Sequence, residues 1–313
     1  MPLDPRAKRF LDRLAALNPP SALSLSVAQR RAALQHMLDF AGNRATVAGV
    51  QDTLVPAAGG PVRVRVYTPA EAPQGPLAGL VYFHGGGLVA GNLESHDGIC
   101  RSLCRASGCQ VLAVDYRLAP EHRFPAAIAD GLDTTRYISA HAADFGVDPS
   151  RLGVCGDSAG ATLAAVVAQQ LAGQEPSLLA VQVLICPIMD LAAQSASRRE
   201  LCTGYLVDES TLQHDLQHYL GAGIAASDVR VSPLRAASVA GLPPACLYTA
   251  EYDPLRDEGD QYAQRLVQAG IPTRYTCHAG MIHLFYGMEK LIPYAATAWQ
   301  LMGQDIRAML ARD

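Results

Sequence analysis

The chain contains no stretch of about 18 consecutive uncharged apolar residues, so no membrane-crossing helix is expected. Its opening segment carries Asp4, Arg6, Lys8, Arg9, Asp12 and Arg13 among its apolar residues, which interrupts the apolar core a secretion signal needs. A cytoplasmic location is the expectation. There is no run of like charges and no basic surplus: the net charge is -4 and the pI about 6.1, which excludes the electrostatic footprint of a nucleic-acid binder. No C-x-x-C pair occurs among the eight cysteines, so a zinc framework is not indicated, and reduced, buried thiols are expected of most of them. No repeat or low-complexity segment is present. The sequence calls for no cofactor and no metal, and small-molecule chemistry is the favoured class.

What is present is enough apolar material for one large core, 50% of 313 residues, within the range of a single α/β domain over residues 1–313. Residues 5–17 put Ala7, Phe10, Leu11, Leu14 and Leu17 on one helical face, and Ser26 with Gln29 reads as a capping box opening a second helix. Val62 to Tyr67 alternates with a strand period, and Gly79 to His84 is a buried-strand run. Further apolar strands are expected at 110–115, 152–155, 179–186, 245–250 and 273–278, separated by helical patterns. Near-continuous apolar strands alternating with helices imply a mostly parallel sheet covered on both faces. Between Asp190 and Val231 the strands stop and a polar, helix-prone insertion carries Tyr205, His214, His218 and Tyr219.

Arg151 to Cys155, Gly156-Asp157-Ser158-Ala159-Gly160 and the Ala/Val-rich run that follows read as strand, sharp turn and helix, with Ser158 at the apex. Ligands of open parallel sheets sit beyond the carboxyl ends of the strands, so partners for Ser158 are expected in the other post-strand loops. His84-Gly85-Gly86-Gly87 is a backbone stripped of side chains whose N–H groups can converge on an oxyanion. Asp253, in the loop after the strand ending at Ala250, can orient an imidazole, whereas Asp257 and Glu258 suit the first turn of the next helix. His283 follows the strand ending at His278, and His278 itself falls inside the strand pattern. The order Ser158, Asp253, His283 is that in which α/β-hydrolases present nucleophile, acid and base.

These motifs resemble the hormone-sensitive-lipase-like esterases, bacterial family IV of the lipolytic α/β-hydrolases. The resemblance is densest in His84 to Gly87, Asp115 to Ala127, Gly156 to Gly160, Ser232-Pro233-Leu234, Asp253 to Glu258 and Gly280 to His283. It implies an α/β-hydrolase fold with an eight-stranded sheet, and a helical cap from residues 1–45 and part of 190–225. It implies Ser158 as acylated nucleophile, His283 as base, Asp253 as the acid, and an oxyanion hole of the Gly85, Gly86 and Ala159 N–H groups. The 115–125 run and Asp157 are read as scaffold. Where many relatives have an aromatic residue after the glycine triplet this chain has Leu88, Ala161-Thr162 replaces the usual Gly-Asn after the elbow, and Leu284 replaces a glycine. Leu88, Leu284 and Tyr205 are the candidate pocket residues.

The expected reaction is hydrolysis of short- to medium-chain acyl esters through an acyl-enzyme, with amide or formamide hydrolysis by the same triad as the alternative. A dinucleotide-binding reading, from Gly85-Gly86-Gly87-Leu88-Val89-Ala90, leaves Ser158, Asp253 and His283 without a role. A non-catalytic receptor on the same fold should lack a triad member, and this chain keeps all three. The 273–278 strand, last of the sheet, is a candidate edge for pairing two copies into a homodimer.

Overall fold

The computed structural model describes residues 1–71, 74–173 and 177–311. Two helices open the chain, α1 (Pro5–Ala16) and α2 (Val27–Ala41). Asp4 caps α1 by accepting the Arg6 and Ala7 N–H groups, and Ser26 and Gln29 form the capping box read from the sequence. There follow β1 (Gly49–Val55), β2 (Val62–Thr68), β3 (Leu77–Phe83), α3 (Asp97–Ser107), β4 (Gln110–Val114), α4 (Ala126–Ala140), β5 (Val147–Asp157), α5 (Ala159–Leu171) and β6 (Val181–Ile185). The chain continues through α6 (Ala196–Leu201), α7 (Glu209–Tyr219), β7 (Ala245–Tyr252), α8 (Arg256–Gln268), β8 (Thr273–Ile282) and α9 (Tyr294–Met309).

The strands form one eight-stranded sheet in the order β1-β2-β4-β3-β5-β6-β7-β8. β1 pairs antiparallel with β2 and β2 with β4, and the remaining neighbours are all parallel. β3, β4 and β6 are buried at every residue, as apolar runs must be when helices cover both faces of a parallel sheet. One apolar layer joins the sheet to α4, α5 and α8 through Ile128, Leu163, Val166 and Leu266. The other joins it to α2, α3 and α9 through Leu38, Leu103, Trp299 and Met302. Each such side chain fully removed from water contributes roughly 1.5–3 kcal/mol before conformational entropy is set against it.

Two features differ from the sequence reading. β1 carries no apolar alternation; its first four residues are exposed, and it is held by backbone pairing to β2 at the sheet's rim. Cys277, expected among the buried thiols, is exposed because β8 is the opposite rim strand. In keeping with the rejected dinucleotide reading, α3 begins only at Asp97, so the glycine triplet after β3 does not open a helix as that fingerprint requires. The 115–125 segment forms a corner behind the loop at residue 84: Arg117 pairs with Asp130, and the Tyr116 ring stacks on His84 with centroids 4.3 Å apart. No helix among the described residues is long and apolar enough to cross a membrane.

Candidate active site

The parallel strands β3, β5, β7 and β8 deliver four loops to one edge of the sheet. β5 ends at Asp157 and α5 starts at Ala159, so a single residue turns the chain, and Ser158 does so with φ 53°. Such a conformation costs about 1–3 kcal/mol for a side chain with a Cβ and persists where its surroundings over-determine it. Here they do. Ser158 N–H donates to Ile185 O at 2.8 Å, and a Cβ at Gly156 or Gly160 would lie 2.3 Å from Gly160 O or 2.1 Å from Phe83 O respectively. Only glycine permits strand and helix to approach this closely.

Ser158 Oγ lies 3.1 Å from His283 Nε2, and His283 Nδ1–H donates to Asp253 Oδ2 at 2.7 Å. His283 and Asp253 are buried, and Ser158 is partly open to solvent. Asp253 Oδ1 also accepts the Leu255 N–H at 2.9 Å, so one carboxylate both orients the imidazole and stops the strand. Burial disfavours the His283 imidazolium, but the charge and hydrogen bond of Asp253, with a contribution from Asp157, outweigh it and raise the imidazole above its ordinary value.

The oxyanion loop departs from the expected donor set. Gly85 N–H is already donated to Asp157 Oδ1 at 2.9 Å and so does not face the serine as a free donor. Gly86 and Gly87, both at positive φ, and Ala159 at the first position of α5 carry N–H groups without an acceptor among the described residues. Gly86, Gly87 and Ala159 are thus the N–H groups beside Ser158 left free to meet an anion, one residue along the triplet from the expected set. Sequence gave no sign of this, because Asp157 reaches Gly85 across 72 positions.

Asp157 anchors that loop from below. It is fully buried, accepts from the Tyr82 and Tyr286 hydroxyls and lies 3.7 Å from His96 Nε2. Burial opposes its charge, yet His96 and the two tyrosines hold its carboxyl below the ordinary value. From above, Arg31 of α2 donates to Val89 O and Ala119 O, docking the helix on the loop.

A narrow apolar cleft opens between Gly87 and Ala159, the residue after Ser158. Leu88, Leu163, Val166 and Ile188 line one side, and Leu212, Leu216 and Tyr219 line the other. Of the candidate pocket residues only Leu88 faces this cleft. Tyr205 stacks on Tyr252 with centroids 5.5 Å apart, and Leu284 turns into the core at φ 62°. The charged lining residues are Arg230 and Asp215, and Asp215 pairs with Arg30 of α2 at 3.0 Å. Sequence reading passed over both members of that pair, which stand 185 residues apart. Among the described residues one group of three metal-ligating side chains converges, Cys186, Asp253 and His283, and its histidine and aspartate are already bonded to each other.

Residues 80–287 match the family described as alpha/beta hydrolase fold. The ethyl acetate hydrolase of Pseudomonas putida is 40% identical over 234 residues, 74% of this chain and 74% of that protein. The carboxylic ester hydrolase LipN of Mycobacterium tuberculosis is 38% identical over 272 residues, 84% of this chain and 71% of that one. Among solved structures, an ester hydrolase from the Lake Arreo metagenome, complexed with a bipyridine phosphonate derivative, superposes with a TM-score of 0.94 at 39% identity over 98% of each chain. The hyperthermophilic esterase of Pyrobaculum calidifontis gives 0.93 at 36% identity, over 99% of this chain and 100% of that one. The chain belongs to the α/β-hydrolase fold family, in its hormone-sensitive-lipase-like branch of esterases.

Proposed function

We propose that the carboxylic ester hydrolysis this protein performs as a member of its family runs through Ser158, His283 and Asp253. The observation that carries this reading is the relay of 3.1 and 2.7 Å linking three side chains from the ends of β5, β8 and β7. Ser158 Oγ attacks the ester carbonyl while His283 Nε2 takes its proton, and Asp253 holds Nδ1 in the tautomer this requires. Gly86, Gly87 and Ala159 donate to the tetrahedral oxyanion, at the positive end of α5. His283 returns the proton to the leaving alcohol, and water repeats the sequence on the acyl-enzyme.

The apolar cleft beside the glycine loop receives the acyl chain, and short to medium acyl lengths are what the family resemblance implies for it. The two opening helices and the part of residues 190–225 that carries α7 act as a cap: α2 and α7 meet through Arg30 and Asp215 directly over the glycine loop. The eight free cysteines suit a reducing, cytoplasmic setting, and the rim of β8 at residues 273–279 suits pairing with a second copy. Light scattering tests the last point, a monomer at working concentration overturning it. For the reaction itself, Ser158→Ala is expected to abolish turnover of p-nitrophenyl butyrate with the thermal melt unchanged. Retained turnover would overturn the assignment.

A further inference from the structure

Asp253 is completely buried, and a carboxylate in that position has about four lone-pair sites to satisfy. Two are accounted for by His283 Nδ1–H and Leu255 N–H. A third donor stands beside them. Cys186 follows β6 immediately, and its Sγ lies with an Asp253 carboxylate oxygen and a His283 ring nitrogen in a cluster whose atoms are all within 4.8 Å of one another. The cysteine is buried and free, at φ 45°, with its N–H donated to Tyr248 O at 2.7 Å.

The backbone around it is shared by both halves of the site. Ile185 O accepts the Ser158 N–H, Ile188 N–H donates to Ser158 O, and Ile188 O accepts the Thr162 hydroxyl at 2.5 Å. The segment from Ile185 to Ile188 thus holds the nucleophile's turn with its backbone while the Cys186 Sγ sits within 4.8 Å of the acid.

We propose that Cys186 is a positioning residue of the reaction: its S–H donates to the Asp253 carboxylate, fixes that group and disperses its charge, and so keeps the imidazole of His283 in line with Ser158. The thiol suits the task because it stays protonated. Burial and the charges of Asp253 and Asp157 push it well above its ordinary value. It is a permanent donor that does not compete for the proton His283 moves. The other titratable groups facing the cluster are Asp157 from β5, Cys277 from β8 and Tyr286 from the turn after His283. Tyr286 spends its hydroxyl on Asp157, which leaves Cys186 as the side chain that serves Asp253 from the β6 side.

A role confined to packing would cost stability without moving the titration of His283. Loss of the donor does move it: a carboxylate with one hydrogen bond fewer concentrates its charge on the imidazolium, and the acid limb of kcat/KM shifts to higher pH. With p-nitrophenyl butyrate, Cys186→Ala is expected to lower kcat about three- to tenfold with KM within about twofold. Its acid limb should move up, and Cys186→Ser, which restores a donor, should return both quantities toward the parent. An alanine limb that stays in place, or a serine limb that copies alanine's, overturns the proposal.

Should Cys186→Ala not fold, Cys186→Ser decides alone through the low-field His283 Nδ1 proton resonance, which must shift when a hydroxyl replaces the thiol. An unmoved resonance overturns the proposal. The inference rests on the triad reading, and the two fail separately: an active Ser158→Ala overturns both, whereas an inactive one beside an unshifted Cys186→Ala overturns only the role of the thiol.

Discussion

Asp157 Oδ1 accepts the backbone N–H of Gly85 at 2.9 Å, so the residue before the nucleophile holds the first glycine of the loop that faces it. Strand β5 and the loop after β3 are thereby fixed to each other beside Ser158. In the proposed mechanism the oxyanion donors are the two that follow, Gly86 and Gly87, and their aim depends on the one that is tied down.

Asp157→Asn tests this arrangement. The amide fills the same space but presents N–H to one of three donors, Gly85 N–H, Tyr82 OH or Tyr286 OH, leaving a buried donor unpaired at a cost of about 1–3 kcal/mol of stability. A loosened loop weakens oxyanion stabilisation, and kcat should fall about 10- to 100-fold with little change in KM. Steady-state kinetics and urea unfolding on the same preparation measure both. A kcat within twofold of the parent would show that the loop holds its aim without Asp157.

His283 carries the pH dependence. Its imidazole is raised above the ordinary value of 6.5 by Asp253 against the opposing effect of burial, and the protonated ring cannot accept the Ser158 proton. Activity is therefore present at high pH and lost as pH falls through that raised value, so the acid limb of kcat/KM should have its midpoint above 6.5. Asp253→Asn removes the charge that raises it. Its residual activity should be about 10³- to 10⁴-fold lower, with the limb at lower pH. A limb that stays at the parental position in the variant would assign it to another group.

The Arg30–Asp215 pair makes a charge balance at the cleft. A methyl built on Gly87 would lie 1.9 Å from Asp215 Oδ2, so this carboxylate is packed against an oxyanion-loop glycine, and Arg30 neutralises it there. Arg30→Met leaves the Asp215 charge with only the His214 ring as side-chain partner, 3.1 Å away, beside a developing oxyanion, and kcat should fall about tenfold. Arg30→Met combined with Asp215→Asn should recover most of that loss. Additive losses in the double variant would show that the pair acts on the cap alone.

What the sequence revealed and what it hid follow from range. Ser158, Asp253 and His283 could be read because each follows an apolar strand, and strand ends in a parallel sheet share one edge. That the Gly85 N–H is already taken could not be read, because its acceptor is a side chain 72 residues away. β1 was missed for want of an apolar face, its pairing being entirely backbone. Tyr205 was drawn toward the pocket by its place in a polar insertion, yet its ring finds Tyr252 instead. Cys186 looked like the end of an apolar strand, and only the turn at φ 45° brings its thiol to Asp253.

Arg198 and Glu258 tie the insertion to α8 in a buried ion pair at 2.8 Å, with side chains only 10% and 1% exposed. Glu258 also accepts the Met189 and Asp190 N–H groups, supporting the loop that continues from Cys186. Burial pushes its carboxyl up to about 7 even though Arg198 and the two backbone donors act in the other direction. A folded value above the ordinary 4.5 means that this group favours the fold fully below pH 4.5 and loses that contribution as pH rises toward 7. Without the guanidinium the folded value climbs further, and the loss continues above 7. Arg198→Met should therefore cost little at pH 5.5, where the carboxyl is protonated in parent and variant alike, and about 3 kcal/mol at pH 8.5, where the parent holds a paired carboxylate and the variant an unpaired one. Urea unfolding of both proteins across that range measures the difference. A penalty independent of pH would mean that Arg198 contributes through packing of its stem and its bond to Asp190 O rather than through the charge of Glu258.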